Sequence, residues 1–112
     1  MTPEGRVKAR LRRALKPYKD RIFSFPIMPT PYTVAGLPDY FILLKGKTIG
    51  VEVKSPTGRL TPSQKRMRDT LIEHGSMHFV VRDKETIQEL IDILEGILNE
   101  DTQRPQICGP ET

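Results

Sequence analysis

The chain has no tryptophan, a single cysteine and no long apolar run. The lone Cys108, set in a polar tail, excludes an internal disulfide and forms no zinc-like spacing with His74 or His78, which points to a reducing compartment. No stretch approaches the ~20 apolar residues of a membrane span, and the N-terminus lacks the apolar centre of a secretory signal. An Arg-rich start has some likeness to an organelle transit peptide, but Glu4 and the place of this segment in the domain argue against it. The expectation is a soluble intracellular protein without a membrane partner. Three Tyr and four Phe are too few to argue a stacking platform for bases, and no helix-turn-helix or zinc module is evident. Sequence-specific base reading is therefore not expected.

What the chain does have is unevenly placed charge. Across 112 residues, 18 Lys and Arg face 14 Asp and Glu. Residues 1 to 21 carry Arg6, Lys8, Arg10, Arg12, Arg13, Lys16, Lys19 and Arg21 against only Glu4 and Asp20, whereas residues 83 to 112 are dominated by acids. Such a basic element favours a polyanionic partner, although a solvated helix face would read the same way. The length suits one domain, taken as residues 1–100, followed by a polar tail at 101–112.

Val7, Leu11, Ala14 and Leu15 recur at helical spacing between Pro3 and Pro17, which marks a first amphipathic helix. Pro17, Pro26, Pro29, Pro31 and Pro38 then exclude regular helix, leaving loop with a short edge strand around Ile22, Phe23 and Phe25. Asp39 to Leu44 and Thr48 to Lys54 flank Lys45-Gly46-Lys47 as a hairpin. Thr61 as N-cap, Pro62 at the first position and Gln64 as capping-box partner start a helix that runs to about His74, with Gly75 as its C-terminal cap. Met77 to Arg82 is a further strand, and Ile87, Leu90, Ile91, Leu94, Ile97 and Leu98 stripe a last helix. This order predicts an α/β fold with a mixed sheet flanked by helices, because a strand, helix, strand succession favours a parallel crossover.

The hairpin raises the chemical question. With Lys45-Gly46 as its loop, Asp39 faces Glu52, and Lys54 falls on the same side of the sheet. A Gly46-Lys47 loop would set Asp39 opposite Lys54 and keep the cluster; a three-residue loop would break it. Opposed carboxylates repel unless a proton or a cation lies between them, and Mg²⁺ or Mn²⁺, which prefer oxygen ligands, would resolve the repulsion. The backbone carbonyl of Val53 is a third candidate ligand. The plainer reading is that Gly50, Glu52 and Lys54 are the solvent side of an amphipathic strand, whose charged pair contributes only ~0–1 kcal/mol.

Longer context bears on that choice. G-L-P-D, E-V-K, G-R-L-T-P-S-Q and H-G before an apolar strand, with T-P-E-G-R-V-K-A-R near the start, resemble VRR-NUC nucleases of the PD-(D/E)XK superfamily, in particular small stand-alone phage and bacterial members, over Thr2 to about Arg82. The valine-arginine-arginine pattern behind the family name does not occur here as such. The resemblance implies a restriction-endonuclease-like sheet and an endonuclease that hydrolyses DNA phosphodiesters with Mg²⁺, for which Mn²⁺ would substitute, in the cytoplasm of a bacterial or phage-infected cell. It makes Asp39, Glu52 and the Val53 carbonyl the metal ligands, and Lys54 the residue that orients the attacking water. Glu4 and Gln64 border the site by the same resemblance; charge at a helix start and the capping box account for them equally well. Lys8, Arg12, Arg59, Lys65, Arg66 and Arg68 are candidate phosphate contacts, or solvated surface. The resemblance further implies branched DNA, such as four-way (Holliday) junctions, as substrate and a homodimer as the active form. The rival readings are a non-catalytic DNA-binding module and a nuclease acting on RNA.

Overall fold

The computed structural model describes residues 1–100 and Gly109; the expected tail and Cys108 lie outside the described residues. Helix α1 (Pro3–Leu15) is followed by a single 3-10 turn (Lys16–Tyr18), strands β1 (Phe23–Pro26), β2 (Tyr40–Leu44) and β3 (Lys47–Val53), helix α2 (Pro62–Glu73), strand β4 (Met77–Val81) and helix α3 (Lys84–Leu98). The four strands lie in the order β1-β2-β3-β4, antiparallel except for the parallel β3–β4 pair. The α/β class and mixed sheet expected from the sequence are what the structure shows.

Local chemistry starts and stops these elements. Thr2 caps α1 by accepting from the Gly5 amide, with Pro3 in the first turn. Thr61 and Gln64 form a reciprocal capping box on α2, as Asp83 and Thr86 do on α3. At the C-terminal end of α2, Gly75 takes the left-handed conformation (φ 91°) that residues with a Cβ resist. The β2–β3 turn puts both Lys45 (φ 47°) and Gly46 (φ 77°) in that region, the signature of a two-residue type I′ hairpin. The register follows from it: Leu44 pairs with Lys47, Ile42 with Ile49 and Tyr40 with Val51. Pro26 closes β1 at the sheet edge, where its missing amide hydrogen breaks no central ladder.

Helices α1 and α3 touch each other and pack on one face of the sheet. There Val7, Leu11 and Leu15 of α1 and the six apolar residues of the α3 stripe meet Tyr40, Ile42, Leu44, Ile49, Val51, Val53 and Val81 in a single core. The other face carries α2, which contacts β4. Gly50 is required on that face, because a Cβ built there would come within 2.8 Å of the Pro38 ring. Pro38 is fully buried. The segment leading into Asp39 is thereby pressed against the hairpin.

Candidate active site

Asp39 sits one residue before β2, and Glu52 lies near the end of β3. Two backbone bonds fix Asp39: its side-chain Oδ2 accepts from the Val53 amide at 2.7 Å, and its carbonyl accepts from the Ile27 amide at 2.8 Å. Its Oδ1 lies 3.5 Å from the Lys8 ammonium. Asp39 is therefore braced from β1, β3 and α1 at once.

Glu52 is only 2% exposed, alone among charged residues in the buried interior of the described residues. Its Oε1 accepts from the Gln64 side-chain amide at 3.1 Å, while its Oε2 is buried without a donor among the described residues. Burial and then the neighbouring Asp39 carboxylate push its pKa up to about 8; Glu4 adds to the rise and the Lys54 ammonium opposes it. Protonated, Glu52 can share its hydrogen with Asp39. Ionised, it leaves Oε2 with no partner in a dry place, at a cost that buried carboxylates bear only when something positive compensates them.

The Gln64 side chain divides its two ends. Its Oε1 accepts from the Thr61 amide to close the capping box, at 2.9 Å, and its Nε2 holds Glu52. One side-chain amide thus closes the capping box and contacts Glu52.

The structure thus brings Asp39, Glu52, Lys54, Gln64 and Glu4 into one electrostatic neighbourhood. Of the basic candidates, Lys8 reaches Asp39 directly, whereas Arg12, Arg59, Lys65 and Arg66 are exposed to solvent and Arg68 pairs with Asp69 at 3.0 Å. Arg12 shares a shallow concavity of about 280 Å³ with Lys16 and Lys19. The Lys8–Asp39 contact was missed in the sequence, although the signal was present: Glu4 and Lys8 are four residues apart on α1 and so share its face.

No group of three or more His, Cys, Asp and Glu converges in metal-binding geometry among the described residues. Two carboxylates suffice for a hard cation of the Mg²⁺ kind, which keeps several waters and takes further oxygens from substrate phosphate. The unpartnered Oε2 beside Asp39 fits that donor set.

A mixed sheet between helices, with an acid before one central strand and an E-V-K run on its neighbour, agrees with the PD-(D/E)XK resemblance. The VRR-NUC domain model, of a nuclease domain family in that superfamily, matches residues 32–84. That match spans Asp39, Glu52, Lys54 and Gln64 but not α1, which supplies Glu4 and Lys8. A comparison with curated proteins gives no match. The matched family is one of nuclease domains, which act on DNA and generally use divalent metals. No helix among the described residues is long and apolar enough to cross a membrane.

Proposed function

We propose that this domain is a Mg²⁺-dependent endonuclease that hydrolyses phosphodiester bonds in branched DNA such as four-way junctions, with Mn²⁺ able to replace Mg²⁺. Asp39, Glu52 and the Val53 carbonyl would hold the cation. The observation that carries the reading is the buried Glu52 with one orphaned oxygen next to a second carboxylate.

When bound, the cation would stabilise charge on the phosphate oxygens and make a bound water more acidic. The remaining work falls to side chains. Lys8 and the Val53 amide fix the rotamer of Asp39, so its oxygens need no reorganisation when substrate arrives. Gln64 fixes Glu52 from the opposite side. Lys54, whose positive charge favours ionisation of Glu52, would orient water and offset negative charge growing on the phosphate. Arg12, Arg59, Lys65, Arg66 and Arg68 supply phosphate contacts outside the chemistry.

A single site cuts one strand at a time and symmetric cleavage of two strands takes two sites, so we take the active form to be a homodimer. The test is a cleavage panel of junction, flap, duplex, single-stranded DNA and RNA, with Mg²⁺ and with Mn²⁺, for wild type, Asp39→Ala and Glu52→Ala, and with binding measured in parallel. The expected result is cleavage greatest on the junction, lost in both variants, with binding retained. Wild type that binds DNA and never cuts it would identify a non-catalytic module instead; gel filtration showing a monomer at working concentration would remove the dimer.

A further inference from the structure

The loop between β1 and β2 holds three large apolar side chains that are strongly exposed. Tyr32 is 95% exposed, Met28 72% and Val34 63%. Isolated exposed apolar residues are ordinary. These three stand on a segment held in one shape. The Thr30 amide donates to the Thr33 hydroxyl at 2.8 Å, the Tyr32 amide to the Thr30 hydroxyl at 3.2 Å, and the Thr33 amide to the Thr30 carbonyl at 3.0 Å. Pro29 and Pro31 fix the backbone on either side of Thr30. Farther along, Gly36 (φ +81°) lies so close to Ser63 at the start of α2 that a Cβ would come within 2.4 Å of the Ser63 carbonyl oxygen. The loop is tied at both ends, to Asp39 through Ile27 and to α2 through Gly36.

The loop also encloses a concavity of about 280 Å³ whose wall runs from Thr30 and Thr33 through Gly36 and Leu37 to Asp39. Val34, two residues after Tyr32, and the proposed metal ligand Asp39 thus line the same concavity.

We propose that Tyr32 is a specificity-determining residue that stacks on a DNA base whose face is exposed at a branch point. Inside a continuous duplex each base is covered by its neighbours, so an exposed aromatic ring finds a free π-face only where stacking is interrupted. A rigid tyrosine loses little conformational freedom on stacking, and sequence does not matter because every base has such a face. Seven aromatic residues are too few for a multi-base platform, yet one suffices for a single step. Met28 and Val34 flank the stacked base and exclude water. The inference rests on the DNA-nuclease reading for its partner and not on the identity of the metal ligands.

The experiment compares wild type, Tyr32→Ala and Tyr32→Phe for binding, by fluorescence anisotropy in EDTA, to a four-way junction and to a closed dumbbell duplex that has neither ends nor branches. Alanine should weaken junction binding about 5- to 100-fold and leave dumbbell binding within about twofold, while phenylalanine stays within about twofold of wild type on both. A 2-aminopurine at the branch point should be quenched by wild type and Tyr32→Phe but not by Tyr32→Ala. With Mg²⁺, Tyr32→Ala should raise KM more than it lowers kcat. Equal junction binding by all three proteins, or equal losses on junction and dumbbell, would overturn the proposal. The side chain touches little of the fold, so unchanged melting temperatures confirm that each variant is folded. Because the binding arm needs no turnover, it decides the stacking role even if wild type cuts nothing, an outcome that would instead remove the endonuclease reading.

Discussion

The two faces of the sheet are built from the same strands and put to different uses. On the α1–α3 side, Ile42, Leu44, Ile49, Val51, Val53 and Val81 are all buried under two helices, and α3 contributes six buried apolar side chains. On the α2 side the alternate residues of those strands are Phe41, Leu43, Gly50, Glu52, His78 and Val80, and α2 buries no residue completely. Phe23, Phe25 and Phe41 stack there with ring centroids 5.4 and 6.1 Å apart, and Phe23 stays 64% exposed. One face holds the molecule together. The other keeps ionisable groups half-dry, at a cost in stability, and it is the face that carries the proposed site.

The sharpest way to break this contrast is one substitution on each side. Glu52→Gln keeps the shape of the side chain and removes its charge. It should abolish DNA cleavage by more than about 100-fold, beyond what loss of a residue supporting a metal ligand costs. It should also raise the melting temperature of the metal-free protein at pH 8. Leu90→Ala, in the fully buried core on the opposite side, should do the reverse: about 2–5 kcal/mol of stability lost in chemical denaturation, with kcat nearly unchanged wherever the variant is folded. A Glu52→Gln protein that is both active and no more stable than wild type would erase the distinction between the faces.

Much of this was legible beforehand. Lys45-Gly46 fixes the hairpin register, and the register puts Asp39 within reach of β3; Thr61, Pro62 and Gln64 start α2 where the capping pattern said they would. What the sequence did not reveal is that Glu52 is buried. Alternation such as V-E-V-K is the ordinary mark of a strand with one wet face, and only the tertiary placement of α2 and the G-L-P-D segment covers it. The tie between Gly36 and Ser63 is a long-range contact without a local pattern, and the bracing of Asp39 by Lys8 shows locally only in the placement of Lys8 four residues after Glu4. The short strand at Phe23 was legible from composition, but that its aromatic side would stay uncovered depends on α2 lying over β4.

The next effect is a dependence of stability on pH. The folded pKa of Glu52, near 8, lies above its ordinary value of 4.5, so the native state binds a proton that the unfolded chain has released. Its contribution is therefore complete below about 4.5 and is lost as pH rises to about 8, at most ~5 kcal/mol across the window by linkage. Urea titrations of the metal-free protein at intervals from pH 5 to 9 measure this slope. In Glu52→Gln the slope should flatten; an unchanged slope would place its origin elsewhere.

Gln64 separates the helix cap from the site. Gln64→Ala loses both bonds of the amide and should cost about 1 kcal/mol in stability, as lost caps do, together with about 10- to 100-fold in cleavage. Gln64→Glu retains an acceptor for the Thr61 amide but faces Glu52 with a carboxylate. It should keep most of the cap's contribution and lose activity at least as severely. Equal activity in the two variants and wild type would mean that Gln64 serves the helix alone.

The smallest effect concerns His78, which lies on the same face as Glu52 and pairs with Gly50 across the β3–β4 ladder. Burial first, and then the Arg68 guanidinium, hold its imidazole below the ordinary value of 6.5, against a weaker opposing pull from Asp69. The sign is the mirror of Glu52: here the unfolded chain binds the proton more readily, so stability is full above pH 6.5 and falls as acid drives pH through the folded pKa. Both groups are thus kept towards their neutral forms, one resisting alkali and the other resisting acid. Arg68→Gln removes the cation and leaves the Asp69 attraction in place, which should raise the pKa of His78 in an NMR titration of its ring protons and shrink the acid loss. A titration unmoved by Arg68→Gln would leave burial alone as the cause, and the charges on the outer side of α2 would then have no influence on the strand beneath it.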